Sequence, residues 1–236
     1  MLNNEVNSRF VEIINYRGKK QPQRDIYNKC YNNNKKYKWI LFFDIDEFIF
    51  LRKYSDIHEY LSQTKFIKCN SIYLNWVIHT DNNLMHYDNR SLKERFPKVI
   101  KDKKYCKGKS IIKGNIKNIR ITSTHVLDKK LKICDGFGHL FIPKKFYCIV
   151  PDFKFNYIEH YQYKSTEEFV EKLKLKGDCL FENNFKRKLK KILEYFRFNR
   201  ITSKKINYIS KNTGMNLTYI KENLEKIKRE KFYKSK

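Results

Sequence analysis

WILFFDIDEFIF, residues 39–50, is the stretch on which the reading of this chain turns. Five apolar residues run without a break into Asp44, and Asp46 and Glu47 follow within three positions. An apolar run of this kind, rich in aromatic and β-branched residues, reads as a strand buried on both faces. Successive side chains alternate along a strand, so Asp44 and Asp46 are expected on one side. They would lie at the carboxyl end, where open α/β sheets bind ligands. Two carboxylates left alone there repel each other and lose hydration, so a cation is expected between them. Hard oxygen donors this close suit Mg²⁺ or Mn²⁺, commonly shared with a phosphate. A bare Asp-x-Asp more often just ends a strand and caps the next element; the long apolar frame sets this one apart.

The chain has 236 residues, room for one full domain but not two large ones. Its 41% apolar and 16% aromatic content supports a core, which excludes wholesale disorder. Seven Gly and four Pro exclude a fibrous or loop-dominated chain. The formal net charge is +27, from 52 basic and 25 acidic residues, which favours anionic partners: nucleic acid, a phospholipid surface or a phosphorylated substrate. Basic residues are densest after residue 164, as in FKRKLKKILEYFRF and KENLEKIKREKFYKSK. Cys30, Cys69, Cys106, Cys134, Cys148 and Cys179 are far apart with no C-x-x-C pair, against a zinc knuckle or a thioredoxin-like motif. Free buried thiols in a reducing compartment are the expectation. With no signal peptide and no apolar run of about 18 residues, the chain reads as cytoplasmic, with peripheral attachment to an anionic inner membrane face as an option.

Along the chain, VEIINY (11–16) reads as a strand, residues 23–31 as a helix and the 39–50 stretch as the next strand, a β-α-β order that predicts a parallel crossover. Ser55 is expected to start a short helix through Leu61, and SIYLNWVI (71–78) to form another strand. KSIIK (109–113), NIRIT (118–122), FYCIV (146–150) and IEHYQYKS (158–165) read as short strands, the last leading into a helix. Ser165 and Glu168 fit a capping box there, and Gly177 a stop. Phe185, Leu189, Ile192, Leu193 and Phe196 mark an amphipathic helix; Leu217, Ile220, Leu224 and Ile227 mark the last one.

The string W-I-L-F-F-D-I-D-E-F resembles the metal-binding segment of GT-A fold glycosyltransferases, most closely the group around glycosyltransferase family 92. Further elements follow in the family's order. QRDIYNKC (23–30) resembles its Q-x-x-x-Y-x-x-C helix, and YLNWV (73–77) its tryptophan-ending strand on the acceptor side. Glu94-Arg95-Phe96 matches an E-R-F element, Lys109-Ser110-Ile111-Ile112 a K-S-I-[IV] element, and Thr124-His125 falls where a histidine is frequent. His160-Tyr161 with Lys164-Ser165 matches H-Y-x-x-K-S.

The resemblance implies that Asp44 and Asp46 hold a divalent metal, Mn²⁺ or Mg²⁺, bridging the diphosphate of a nucleotide-diphosphate sugar. Glu47 would orient the turn by hydrogen bonds. His160 is the implied third metal ligand; taken alone, a histidine among tyrosines is more often structural. Lys164 could contact the diphosphate or be a solvated lysine at a helix start; Lys109 and Arg95 could steady anionic or hydroxyl groups or form ordinary surface ion pairs. Trp76 could stack on a sugar or fill the core. An inverting transfer to a glycan or lipid-linked acceptor needs a carboxylate base, for which Asp81, just after the 71–78 strand, and Glu94 are the candidates. His125 and His139 stay unassigned.

The front of the chain departs from the family. Met1 opens onto what resembles the family's third stretch, so the expectation is an α/β, GT-A-like mixed sheet lacking its N-terminal strand-helix-strand. The organisation expected is a partial glycosyltransferase domain over 1–180 and a basic helical extension over 181–236. The competing reading is a basic nucleic-acid-binding protein. It rests on the charge and on KKINYISKNTGMNLTYIKENLEKIK, where Gly214 would sit in the turn of a helix-turn-helix.

Overall fold

The computed structural model describes residues 14–15, 23–101, 107–121, 123, 125, 131–142, 153, 156–177 and 184–233. In chain order they form α1 (Gln23–Asn33), β1 (Trp39–Leu41), β2 (Glu47–Leu51), α2 (Ile57–Ser62), β3 (Ser71–His79), α3 (Leu92–Arg95), β4 (Val99–Ile100) and β5 (Gly108–Lys113). There follow β6 (Ile133–Cys134), β7 (Leu140–Phe141), β8 (Asn156–His160) and four helices, α4 (Thr166–Gly177), α5 (Asn184–Phe198), α6 (Ser203–Thr213) and α7 (Leu217–Tyr233). A mixed sheet flanked by helices agrees with the GT-A-like α/β class expected from sequence. Most pairings are antiparallel; β3 runs parallel to β6 and β8. The strands read at 11–16 and 146–150 lie outside the described residues, apart from Ile14 and Asn15, which are in no strand. Residues 118–121 are also not strand.

The decisive correction concerns residues 39–50, which are two strands and not one. β1 pairs antiparallel with β5, β2 antiparallel with β8, and a turn separates them. Glu47 closes that turn. Its backbone N–H donates to the Asp44 carbonyl at 3.0 Å, while its carboxylate accepts from the Asp44 N–H at 3.2 Å. Ile45 at the tip is 95% exposed, which no buried strand would allow. A third carboxylate folding back on the chain is thus what breaks the run.

β3 is the spine. Residues 71–75 pair with β5 on one edge, and from Trp76 onward β8 and then β4 become its partners. The edges meet closely: a Cβ at Gly108 would overlap the Leu74 carbonyl oxygen, so only glycine fits there, immediately before Lys109. One sheet face carries Ile72, Leu74, Trp76, Ile78, Ile111 and Ile158, packed under Leu189, Ile192, Phe196, Ile206, Ile220 and Leu224 of α5–α7. The boundary expected at residue 180 therefore runs through a single core. Each of these buried apolar side chains contributes about 1.5–3 kcal/mol. The other face packs Tyr31 of α1 against Ile40, Phe42, Tyr73 and Ile112, with the Tyr31 hydroxyl donating to the Lys113 carbonyl at 2.6 Å.

The capping box at Ser165 is formed: the Glu168 carboxylate accepts from the Ser165 hydroxyl at 2.8 Å and from its N–H at 3.1 Å. Gly214 sits at the C-cap of α6 with φ +68°, the left-handed region that favours glycine. The turn between α6 and α7 is where the sequence placed it, but Ile206, Ile209, Met215, Ile220 and Leu224 around it are buried in the core.

The cysteines bring a second correction. Cys69 and Cys134 form a disulfide across 65 residues, both fully buried, tying the start of β3 to β6 with Cα atoms 5.7 Å apart. Free thiols were one ground for a cytoplasmic location, and that ground is gone, since disulfides persist in oxidising compartments. Reduction, or Cys69→Ser with Cys134→Ser, is expected to lower stability by about 2–4 kcal/mol. Urea unfolding with and without a reductant able to reach the pair checks this; equal midpoints would show that the bridge contributes nothing. No helix among the described residues is long and apolar enough to cross a membrane.

Candidate active site

The turn between β1 and β2 presents three carboxylates, and β5, β8, β3 and α4 bring their partners. Asp44 Oδ2 lies 3.1 Å from Lys109 Nζ, and Glu47 Oε2 3.4 Å from the same nitrogen. Lys109 is placed by the β3–β5 register, opposite Leu74, and its side chain is 1% exposed. Asp46 faces two ways: Oδ2 is 3.3 Å from Lys172 Nζ on α4, and Oδ1 is 3.7 Å from His160 Nε2. The same imidazole nitrogen is 3.9 Å from Glu47 Oε1, as the direct pairing of Glu47 with His160 in the β2–β8 ladder requires. The Tyr161 N–H donates to the Asp46 carbonyl at 2.9 Å and holds the turn against β8. Trp76, 6% exposed, stands beside these groups with its ring 4.4 Å from that of His160 and 5.1 Å from that of His125.

The electrostatics follow from burial. Glu47 has its carboxyl pushed up to about 7, mainly by loss of water, with the Lys109 charge pulling it back down. His160 is pushed down to about 3, again chiefly by burial, with Lys172 and Lys109 adding to it, so the ring is neutral at physiological pH. Burial also lowers His125, whose Nδ1 pairs with the Gly108 carbonyl oxygen at 2.9 Å. A neutral imidazole beside carboxylates is a metal-ligand set in donor type. Glu47 Oε1 and His160 Nδ1 are buried without a hydrogen-bond partner among the described residues, a cost that a bound group would remove. As they stand, no three donors among the described residues are gathered as a metal cage; lysine ammonium groups hold Asp44 and Asp46 instead.

Asp44, Asp46, Lys109, Trp76 and His160 are thus brought together from four segments of the chain. Lys164 sits in the link before α4, half-buried, with its backbone in the left-handed region at φ +51°. Arg95, half expected to be a surface pair, is 5% exposed and donates to Glu168 at 2.8 Å, so it braces the capping box of α4.

The two carboxylates expected as a base have other partners. Asp81, 1% exposed, accepts from the Lys205 ammonium and the Tyr195 hydroxyl through Oδ2, and from the Asn83 N–H through Oδ1. An acceptor hydroxyl has no access to a carboxylate so enclosed. Glu94, exposed on α3, closes a capping box with Ser91, where the Ser91 hydroxyl and N–H hold its carboxyl below the usual range. Lys172 and Lys205 escaped the sequence reading. Each is one lysine among many, and only long-range packing distinguishes it.

No curated protein and no solved structure matches the chain. The model of glycosyltransferase family 92 does, over residues 7–228, a span that takes in the acidic turn, the strands carrying Trp76, Lys109 and His160, and α4–α6 with most of α7. The chain therefore belongs to glycosyltransferase family 92 and is a transferase.

Proposed function

We propose that the protein moves a sugar, with inversion, from a nucleotide-diphosphate sugar to a glycan or lipid-linked acceptor, using Mn²⁺ or Mg²⁺ held by Asp44, Asp46 and His160. The observation that carries this reading is the convergence of the acidic turn with neutral, buried His160 beside Trp76. A divalent cation there would act as a Lewis acid, neutralising charge on the departing diphosphate. The chain's own part is to hold the donor's charge and exclude water. Lys109 keeps the turn folded, Glu47 fixes its shape, and Trp76 walls the site against the core. Lys164, at the entry to α4, is suited to the outer phosphate oxygens.

The exposed basic residues of α5, among them Lys186, Arg187, Lys190 and Arg197, support peripheral contact with an anionic membrane carrying the acceptor. Binding of uridine diphosphate should depend on Mn²⁺, and Asp46→Ala should weaken it by more than about tenfold. Calorimetry with and without the metal decides the matter. Metal-independent binding, or binding indifferent to Asp46→Ala, would remove the metal from the scheme.

A further inference from the structure

Asp46 already has a cation. The Lys172 ammonium reaches from α4 to within 3.3 Å of Asp46 Oδ2 and 3.4 Å of the Gln162 carbonyl oxygen. The two lysines of the site differ in kind. Lys109 is enclosed between Asp44 and Glu47 with a side chain 1% exposed, whereas the Lys172 side chain is 41% exposed. An enclosed ammonium between carboxylates is costly to displace; a half-exposed ion pair is weak and exchanges readily. The other oxygen, Asp46 Oδ1, lies 3.7 Å from His160 Nε2, the nitrogen that is also 3.9 Å from the orphaned Glu47 Oε1. A cation entering on that side would take over the Asp46 charge and repel the ammonium. The flexible four-carbon stem of Lys172 then lets its head turn outward, where a diphosphate brings new negative charge.

We propose that Lys172 is an exchange cation: it pairs with Asp46 until a divalent metal arrives, and then turns to the diphosphate oxygens of the donor nucleotide. The inference rests on the metal reading given above. It has a signature that a purely structural lysine lacks, because its two consequences have opposite signs. In Lys172→Met, Mn²⁺ alone should bind roughly two- to fivefold more tightly, since a competitor and a like charge are gone. In the same variant, uridine diphosphate at saturating Mn²⁺ should bind about tenfold more weakly, through loss of a charge-assisted contact. Lys172→Arg should restore nucleotide binding.

The full chain is titrated with Mn²⁺, following the free-ion signal by electron paramagnetic resonance, and then with uridine diphosphate by calorimetry. Opposite shifts support the exchange. Unchanged affinities, or shifts of the same sign, overturn it while leaving the metal site intact. If neither the parent nor the variant binds Mn²⁺, the metal reading itself fails and the exchange falls with it.

Discussion

Lys205→Met is expected to destabilise the fold by about 3–5 kcal/mol, because it leaves Asp81 buried without its cation. Both side chains of the pair are 2% exposed, so water cannot replace the lost partner. The pair is the centre of a polar network. Tyr195 donates to Asp81, and its hydroxyl lies 2.9 Å from Thr166 Oγ1. Burial and the Asp81 charge push the Tyr195 phenol up, so it remains a donor. The Asp81 N–H donates to Asn199 Oδ1 at 2.6 Å, and the N–H groups of Thr166 and Glu167 donate to the carbonyls of Leu84 and Met85 at 3.0 and 2.9 Å. The loop after β3, the start of α4 and helices α5 and α6 are therefore fastened to one another. Asp81→Asn combined with Lys205→Met should recover much of the loss, since removing both charges strands neither. Urea unfolding of both variants checks this. A single-variant cost below about 1 kcal/mol would mean that the pair is solvated in a way its enclosure denies.

That network explains what the sequence could and could not reveal. The acidic turn was legible because its signal is local: an apolar run, three carboxylates and a family-like string within a dozen residues. Its shape was not. A continuous strand and a strand–turn–strand share the same hydrophobic pattern, and the break depends on the Glu47 carboxylate returning to the Asp44 N–H. His160 and Lys109 were legible through short motifs, and the two strand registers that deliver them confirm only their nearness. Asp81 misled, because a lone aspartate after a strand looks the same whether it faces solvent or an ammonium 124 residues later. The line drawn at 180 rests on a signal of a related kind. A shift in charge marked it, but apolar residues beyond it, Ile192 and Ile220 among them, complete the core under β3. Charge density reports the outer face of these helices and says nothing of the inner one.

Lys109→Met should give a loss of stability that depends on pH, about 1 kcal/mol near pH 5 and about 3–5 kcal/mol near pH 8.5. The dependence comes from Glu47, whose carboxyl rises from 4.5 to about 7 on folding. Between those values the folded chain keeps a proton that the unfolded chain has released, so stability falls as pH rises, and the penalty is complete above about 7. Lys109 is the charge that limits this rise; without it the upper edge of the window moves higher and the penalty at pH 8.5 grows. Near pH 5 the folded Glu47 is protonated with or without Lys109, and the remaining loss is that of Asp44, whose side chain is 48% exposed and can take up water. His160 works in the opposite direction: held neutral with its value lowered from 6.5 to about 3, it adds stability as pH rises across that range. Lys109 contributes to that shift and to the lowering of His125 as well as limiting the rise of Glu47, so the part that belongs to Glu47 is the part lost when Glu47→Gln is added to the variant. Urea midpoints of parent and variant at pH 5, 7 and 8.5 measure it, and adding Glu47→Gln to the variant should flatten the difference. A cost that is equal at all three pH values would show that Glu47 does not carry the charge balance of the turn.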